Sequence, residues 1–141
     1  MEKIAILFLC TGNSCRSQMA EGWLKHLRSD QVVVKSAGTE KHGLNPLAVK
    51  VMEEAGIDIS NNVSKLTSEL NMEFDFVITV CDRANGICPF FPAKTKVIHK
   101  GFDDPPRLAK DSKTEDDALV HYRKVRDEIR DYVKTIPQIL N

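Results

Sequence analysis

The chain has 141 residues, 42% hydrophobic and 28% charged, which suits one domain over residues 1–141 with enough apolar material for a core. Lys and Arg number 20 and Asp and Glu number 20, so no whole-molecule field draws nucleic acid or an anionic membrane, and any anion site must be local. No apolar stretch is long enough to span a bilayer, and the short apolar run before Cys10 lacks the small residue at position 9 that a lipoprotein signal would need, so a cytoplasmic chain is expected.

Ile4 to Leu9 is continuously apolar, the mark of a strand buried on both faces. A loop over Thr11–Arg16 leads into a helix from Ser17 to about Leu27, with Met19, Trp23, Leu24 and Leu27 at helical spacing; Trp23 is expected in the core. Val32–Val34 is a second strand, ended by Ser36-Ala37-Gly38. Asn45-Pro46 opens a helix as cap and first-turn proline, and Gly56 stops it. One helical turn is expected near Lys65–Leu70, then a third strand over Phe74–Val80, a loop from Cys81 to Pro92, and a weaker fourth strand over Lys96–His99. Asp103-Asp104-Pro105-Pro106 reads as a rigid loop. Thr114 to Asp117 resembles a capping box before a last helix with one apolar stripe through Leu119, Tyr122, Val125, Ile129, Val133 and Ile136.

Strands alternating with helices predict an α/β fold with a four-stranded parallel sheet flanked by helices. Ligands of such sheets bind beyond the carboxyl ends of the strands. Cys10, Cys81 and the Asp103-Asp104 loop all follow strands and so share that edge.

The segment Cys10-Thr11-Gly12-Asn13-Ser14-Cys15-Arg16-Ser17 sits between a buried strand and a helix. A loop wrapped at a helix N-terminus aims backbone N–H groups at one point, and the helix dipole adds positive charge there. Gly12 permits a tight backbone path, Asn13 is expected to bridge the loop from inside, and Arg16 offers a planar fork for two oxygens of a tetrahedral oxyanion. At the base of this cradle the thiolate form of Cys10 is favoured, and Ser17 can donate to its sulfur. The competing reading is a buried strand-end cysteine beside a surface arginine.

This loop resembles that of the low-molecular-weight protein tyrosine phosphatases and of the arsenate reductases sharing their fold, and the similarity runs over nearly the whole chain. The resemblance implies that fold, with Cys10 as nucleophile and Arg16 with the loop Thr11–Ser17 as oxyanion site. The aspartate before proline, here Asp104, is the general acid in both families; turn capping by Asp103 and Asp104 is the alternative. Phosphatases usually carry aromatics after that proline, whereas Pro106-Arg107-Leu108 stands here.

The remaining thiols separate the two families. Arsenate resembles phosphate but accepts two electrons, so its reduction calls for a thiolate in the cradle, a second to attack the first sulfur, and a third to carry the disulfide to an external reductant. Cys81, ending a strand on the same edge, suits the second part; Cys88, in a loop bent by Asn85-Gly86, suits the third. The pattern resembles the thioredoxin-coupled arsenate reductases, implying arsenate as substrate, thioredoxin as electron donor, and no cofactor or metal. A zinc half-site and two incidental loop cysteines are the alternatives for the pair, and Cys15 is assigned to packing. Alternative functions are a tyrosine phosphatase and a non-enzymatic oxyanion or thiol-state sensor. The four histidines are read as surface or packing residues, and a monomer is expected.

Some members of the resembled family hold potassium behind the loop on residues matching Asn13, Glu21 and Ser36, with a later threonine and aspartate. Val63 and Lys65 stand at those last two positions. Lys65 is therefore expected to put its own ammonium in place of the ion, pairing with Glu21; a solvent-exposed Lys65 is the alternative.

Overall fold

The computed structural model describes residues 3–81 and 91–140. Four parallel strands, β1 (Ile4–Leu9), β2 (Val32–Ala37), β3 (Phe76–Thr79) and β4 (Lys96–His99), form one sheet in the order β2-β1-β3-β4. β1 is central because its side chains are apolar on both faces, and its last four residues are fully buried. β2 runs to Ala37 rather than stopping at Val34. As an edge strand it alternates, with Val33 and Lys35 outward, and it pairs with β1 as far as Leu9↔Ala37. β3 starts at Phe76 rather than Phe74, since the Asp75 carboxylate takes the Ala5 N–H at 2.8 Å.

Of the helices, α1 spans Arg16–Arg28, α2 Pro46–Glu54, α3 Pro105–Leu108 and α4 Glu115–Val133. Asn45 Oδ1 caps α2 by accepting from Leu47 N and Ala48 N, and Gly56 follows its end at φ +84°. Thr114 Oγ1 accepts from Asp117 N at 3.1 Å, and acidic residues fill the first turn of α4. Near Lys65–Leu70 the expected turn is a 3₁₀ turn over Thr67–Glu69. The Asp103–Pro106 segment is not loop throughout: Pro105 opens α3, its fixed φ and missing N–H both suiting a first helical position.

α1, α2 and α4 converge on one face of the sheet, where Met19, Trp23, Met52, Val125 and Ile129 pack on Ile6, Phe8 and Ile78. The Trp23 indole donates to Arg126 O at 3.1 Å. On the opposite face Leu7, Leu9, Ala37 and Val77 are covered by Phe74 and the segments around Leu70–Met72 and Phe91–Ala93. Among the described residues no helix is long and apolar enough to cross a membrane.

The chain leaves β1 towards β2 on one side and leaves β3 towards β4 on the other, so the strand order reverses between β1 and β3. A crevice opens at such a switch point beyond the carboxyl ends of the strands. Leu9 is in register with Thr79, which brings the Cys10 loop and the Cys81 end together there.

Candidate functional site

Four carbonyls of the loop after β1 are taken by groups that lie outside it. Thr11 O accepts from Glu40 N, Gly12 O from His42 N and Ser14 O from Asn45 N, each at 3.0 Å. Asn13 O accepts from Ser64 Oγ at 2.8 Å and from Gln18 Nε2 at 3.2 Å. Asn13 itself is left-handed, φ +47°, the conformation that asparagine tolerates best after glycine and that curls the loop. No side chain caps α1, which leaves the N–H groups of its first turn open to an outside acceptor. The result is a tightly curled loop between β1 and α1.

Cys10 lies at its base, 4% exposed, with Ser17 Oγ at 3.0 Å from its sulfur. Arg16 leans across the mouth. Its Nη1 donates to Phe102 O at 2.9 Å, and its Nη2 is 3.9 Å from Asp104 Oδ1. Asp104 is the N-cap of α3 by backbone position only: its carboxylate makes no cap hydrogen bond. Asp103 instead turns to Lys124, 3.5 Å away. Of the adjacent pair, Asp104 is thus the carboxylate that faces the arginine. Cys81 is buried in the same cluster as Cys10 and Cys15, one residue beyond Val80, whose N–H donates to Leu9 O at 2.9 Å.

The chain as a whole matches known proteins. The sequence profile of the low molecular weight phosphotyrosine protein phosphatases matches residues 5–141. The chain belongs to this family. Within it, the chain is 49% identical over 139 residues to an arsenate reductase of Halalkalibacterium halodurans, covering 98% of both chains. Among solved structures it resembles an arsenate reductase in the phosphate binding state, with TM-score 0.78, 30% identity, and coverage of 98% of this chain and 99% of that one. A thioredoxin-dependent arsenate reductase of Corynebacterium glutamicum matches with TM-score 0.63 and 26% identity over 99% of this chain and 64% of that one.

Placed on this family fold, the residues singled out in the sequence separate clearly. Thr11 to Ser17, with Cys10, form the cradle, and Asp104 stands across from it. Cys15 packs in the core, 4% exposed. Burial pushes its thiol up, and Cys10 and Asp104 push the same way, so Cys15 stays protonated. Cys88 and the Asn85-Gly86 bend lie outside the described residues. Lys65 reaches the back of the loop: its Nζ is 4.0 Å from Glu21 Oε1 and donates to Val63 O at 3.2 Å. Glu21 is 4% exposed and also accepts from Ser36 Oγ at 2.7 Å. Burial pulls the Lys65 ammonium down and Glu21 opposes that pull.

Sequence reasoning missed three features of this family site. Gly38 is packed so closely that a Cβ there would press into the carbonyl oxygens of Thr11 and Cys10. The His42 ring fills the space where a Cβ of Gly12 would stand, so Gly12 makes room for that ring and does not adopt a positive φ. Gln18, fully buried, joins the loop to residues 62–63. Only the position of Gly38, just past a strand on the catalytic edge, offered a local signal.

Proposed function

We propose that the chain reduces arsenate to arsenite, with Cys10 as nucleophile and an intramolecular disulfide relay through Cys81 and Cys88 that thioredoxin resets. The observation that carries the reading is the curled loop after β1, its carbonyls held from outside, with Cys10 buried at its start beside Ser17. Near-full-length similarity at about half identity to an arsenate reductase supports the substrate.

Arsenate enters the cradle, its oxygens on the loop amides and on the Arg16 N–H groups not held by Phe102 O. The Cys10 thiolate attacks arsenic, an As–S bond forms, and an As–O bond breaks. Asp104 donates the proton that lets the leaving oxygen depart as water. In the reduced protein the Cys81 thiolate then attacks the Cys10 sulfur. An S–S bond forms, the As–S bond breaks, and its electron pair stays on arsenic, which leaves as arsenite. Cys88 attacks Cys81, freeing the Cys10 thiolate and leaving a Cys81–Cys88 disulfide, which a dithiol reductant such as thioredoxin returns to two thiols. The similarity to a thioredoxin-dependent enzyme supports that choice of donor. Such a donor agrees with a cytoplasmic location, and nothing in the scheme needs a metal, a nucleic acid or a second subunit.

The test is turnover of the purified protein with arsenate, comparing thioredoxin with glutathione plus glutaredoxin, beside an aryl phosphate. Thioredoxin-driven arsenite release that Cys10→Ser abolishes is the expected result. Aryl phosphate hydrolysis with no arsenite from arsenate would make the protein a phosphatase, since the first step is common to both reactions.

A further inference from the structure

Gln18 belongs to no motif, yet it is a fully buried polar side chain whose hydrogen bonds are all met. Its Nε2 donates to Asn13 O at 3.2 Å, to Asn13 Oδ1 at 3.1 Å and to Val63 O at 3.0 Å; its Oε1 accepts from Asn62 Nδ2 at 3.1 Å. Three acceptors surround one end of the amide and a donor meets the other, so its orientation is determined.

The orientation propagates. Asn13 Oδ1 receives two donors, Gln18 Nε2 and Lys65 N, the latter at 2.8 Å. That atom must be the oxygen, so the Asn13 Nδ2 group points the other way and donates to Ser17 Oγ at 2.8 Å. With its oxygen accepting from Asn13, the Ser17 hydroxyl has its proton to give, and the Cys10 sulfur stands 3.0 Å away. The pair Cys10–Ser17 could by itself be written with either atom as donor. The amide chain behind it occupies one acceptor site of Ser17 and leaves its proton to give, and a hydroxyl donating to sulfur favours the thiolate. Gln18 also holds the strap that carries the Lys65 N–H, through Val63 O and Asn62.

We propose that Gln18 is a positioning residue for the Cys10 nucleophile, locking the Asn13 carboxamide in the orientation that makes Ser17 a hydrogen-bond donor to the Cys10 sulfur. The inference rests on the assignment of Cys10 as nucleophile, and its test reads the two apart.

The measurement is the pH dependence of Cys10 alkylation by iodoacetamide, followed by mass on the Cys10 peptide of the full chain so that the other cysteines do not contribute. In Gln18→Met, close in shape but without donor or acceptor, the midpoint moves about one pH unit upward, the scale of a lost hydrogen bond to the charged form. Ser17→Ala moves it upward too, and adding Gln18→Met to Ser17→Ala moves it no further, because Gln18 acts through Ser17. Ser64→Ala removes a different bond to Asn13, the one to its carbonyl; it lowers the thermal midpoint and leaves the alkylation midpoint in place, which separates positioning from general support. If Gln18→Met does not fold, Gln18→Asn, too short to reach both Asn13 and Asn62, carries the same expectation. A midpoint unchanged by these variants, or a shift that adds to that of Ser17→Ala, overturns the role of Gln18. A wild-type Cys10 that alkylates like an ordinary free thiol overturns the nucleophile assignment instead.

Discussion

The Arg16 guanidinium ties the start of α1 to the segment between β4 and α3, holding Phe102 O at 2.9 Å while its other terminal nitrogen lies 3.9 Å from Asp104 Oδ1. That second separation is too long for a tight ion pair and leaves the guanidinium able to turn to a bound oxyanion. An arriving arsenate would therefore meet Arg16 and Asp104 together.

Asp104→Asn keeps the shape at this point and removes the carboxyl proton. Arsenate turnover should fall by ~10²–10⁴-fold, the usual span for general acid catalysis. Asp103→Asn, which only loosens a contact to exposed Lys124, should stay near the wild-type rate. A crippled Asp103→Asn with an intact Asp104→Asn would move the acid one residue back.

The relay predicts different single-turnover behaviour for the two later cysteines. Cys81→Ser should form the first adduct and release no arsenite, while Cys88→Ser should release about one arsenite per enzyme and then stall. Rapid-quench arsenite analysis distinguishes them, and sustained thioredoxin-driven turnover by Cys88→Ser would remove the third step.

Lys65 lies where a cation would neutralise Glu21, with Lys25 as a second, more exposed partner at 3.4 Å. We expect the thermal midpoint and arsenate affinity to be equal in potassium and in sodium at matched ionic strength. Lys65→Ala should lower both by leaving a buried carboxylate short of positive charge. A stabilisation of the wild type by potassium alone would show that an ion, not this ammonium, completes the site.

The two close-packed glycines should respond differently. Gly38→Ala drives a methyl into backbone carbonyls that cannot move without reshaping the cradle; a loss of roughly 1–3 kcal/mol by urea unfolding is the usual scale for such overpacking, together with a fall in arsenate affinity. Gly12→Ala meets only the His42 ring, whose side chain is 53% exposed and can swing away by giving up its surface contact with Glu40. Its cost should be smaller and should largely vanish in the His42→Ala background.

Glu54 gives a pH dependence of known sign. The Arg123 hydrogen bonds, with Arg126 adding, hold its carboxyl down to about 2 from an ordinary value of 4.5. A group lowered on folding stabilises the native state above its unfolded value and stops doing so as pH falls through the folded one. The stability difference between wild type and Glu54→Gln should be constant above about pH 5 and shrink between 4.5 and 2, measured by denaturant titration across that range.

What the sequence determined by itself is local. Continuous apolar runs mark β1 and β3, helical stripes mark α1 and α4, and Cys10 to Ser17 between a strand and a helix define the cradle, because hydrophobic period and helix-terminus chemistry are properties of neighbouring residues. The element ends at Ala37 and Phe76 and the helical turn at Pro105 were less legible, since pairing partners set them. What only the tertiary structure decided is which residues hold the cradle. The clash behind Gly38, the ring over Gly12 and the amide chain from Gln18 to Cys10 all depend on groups brought together from distant parts of the chain: Gln18 meets Val63 across 45 residues and Arg16 meets Phe102 across 86. Buried polar groups must find such partners wherever the fold supplies them, and no local pattern records where that is.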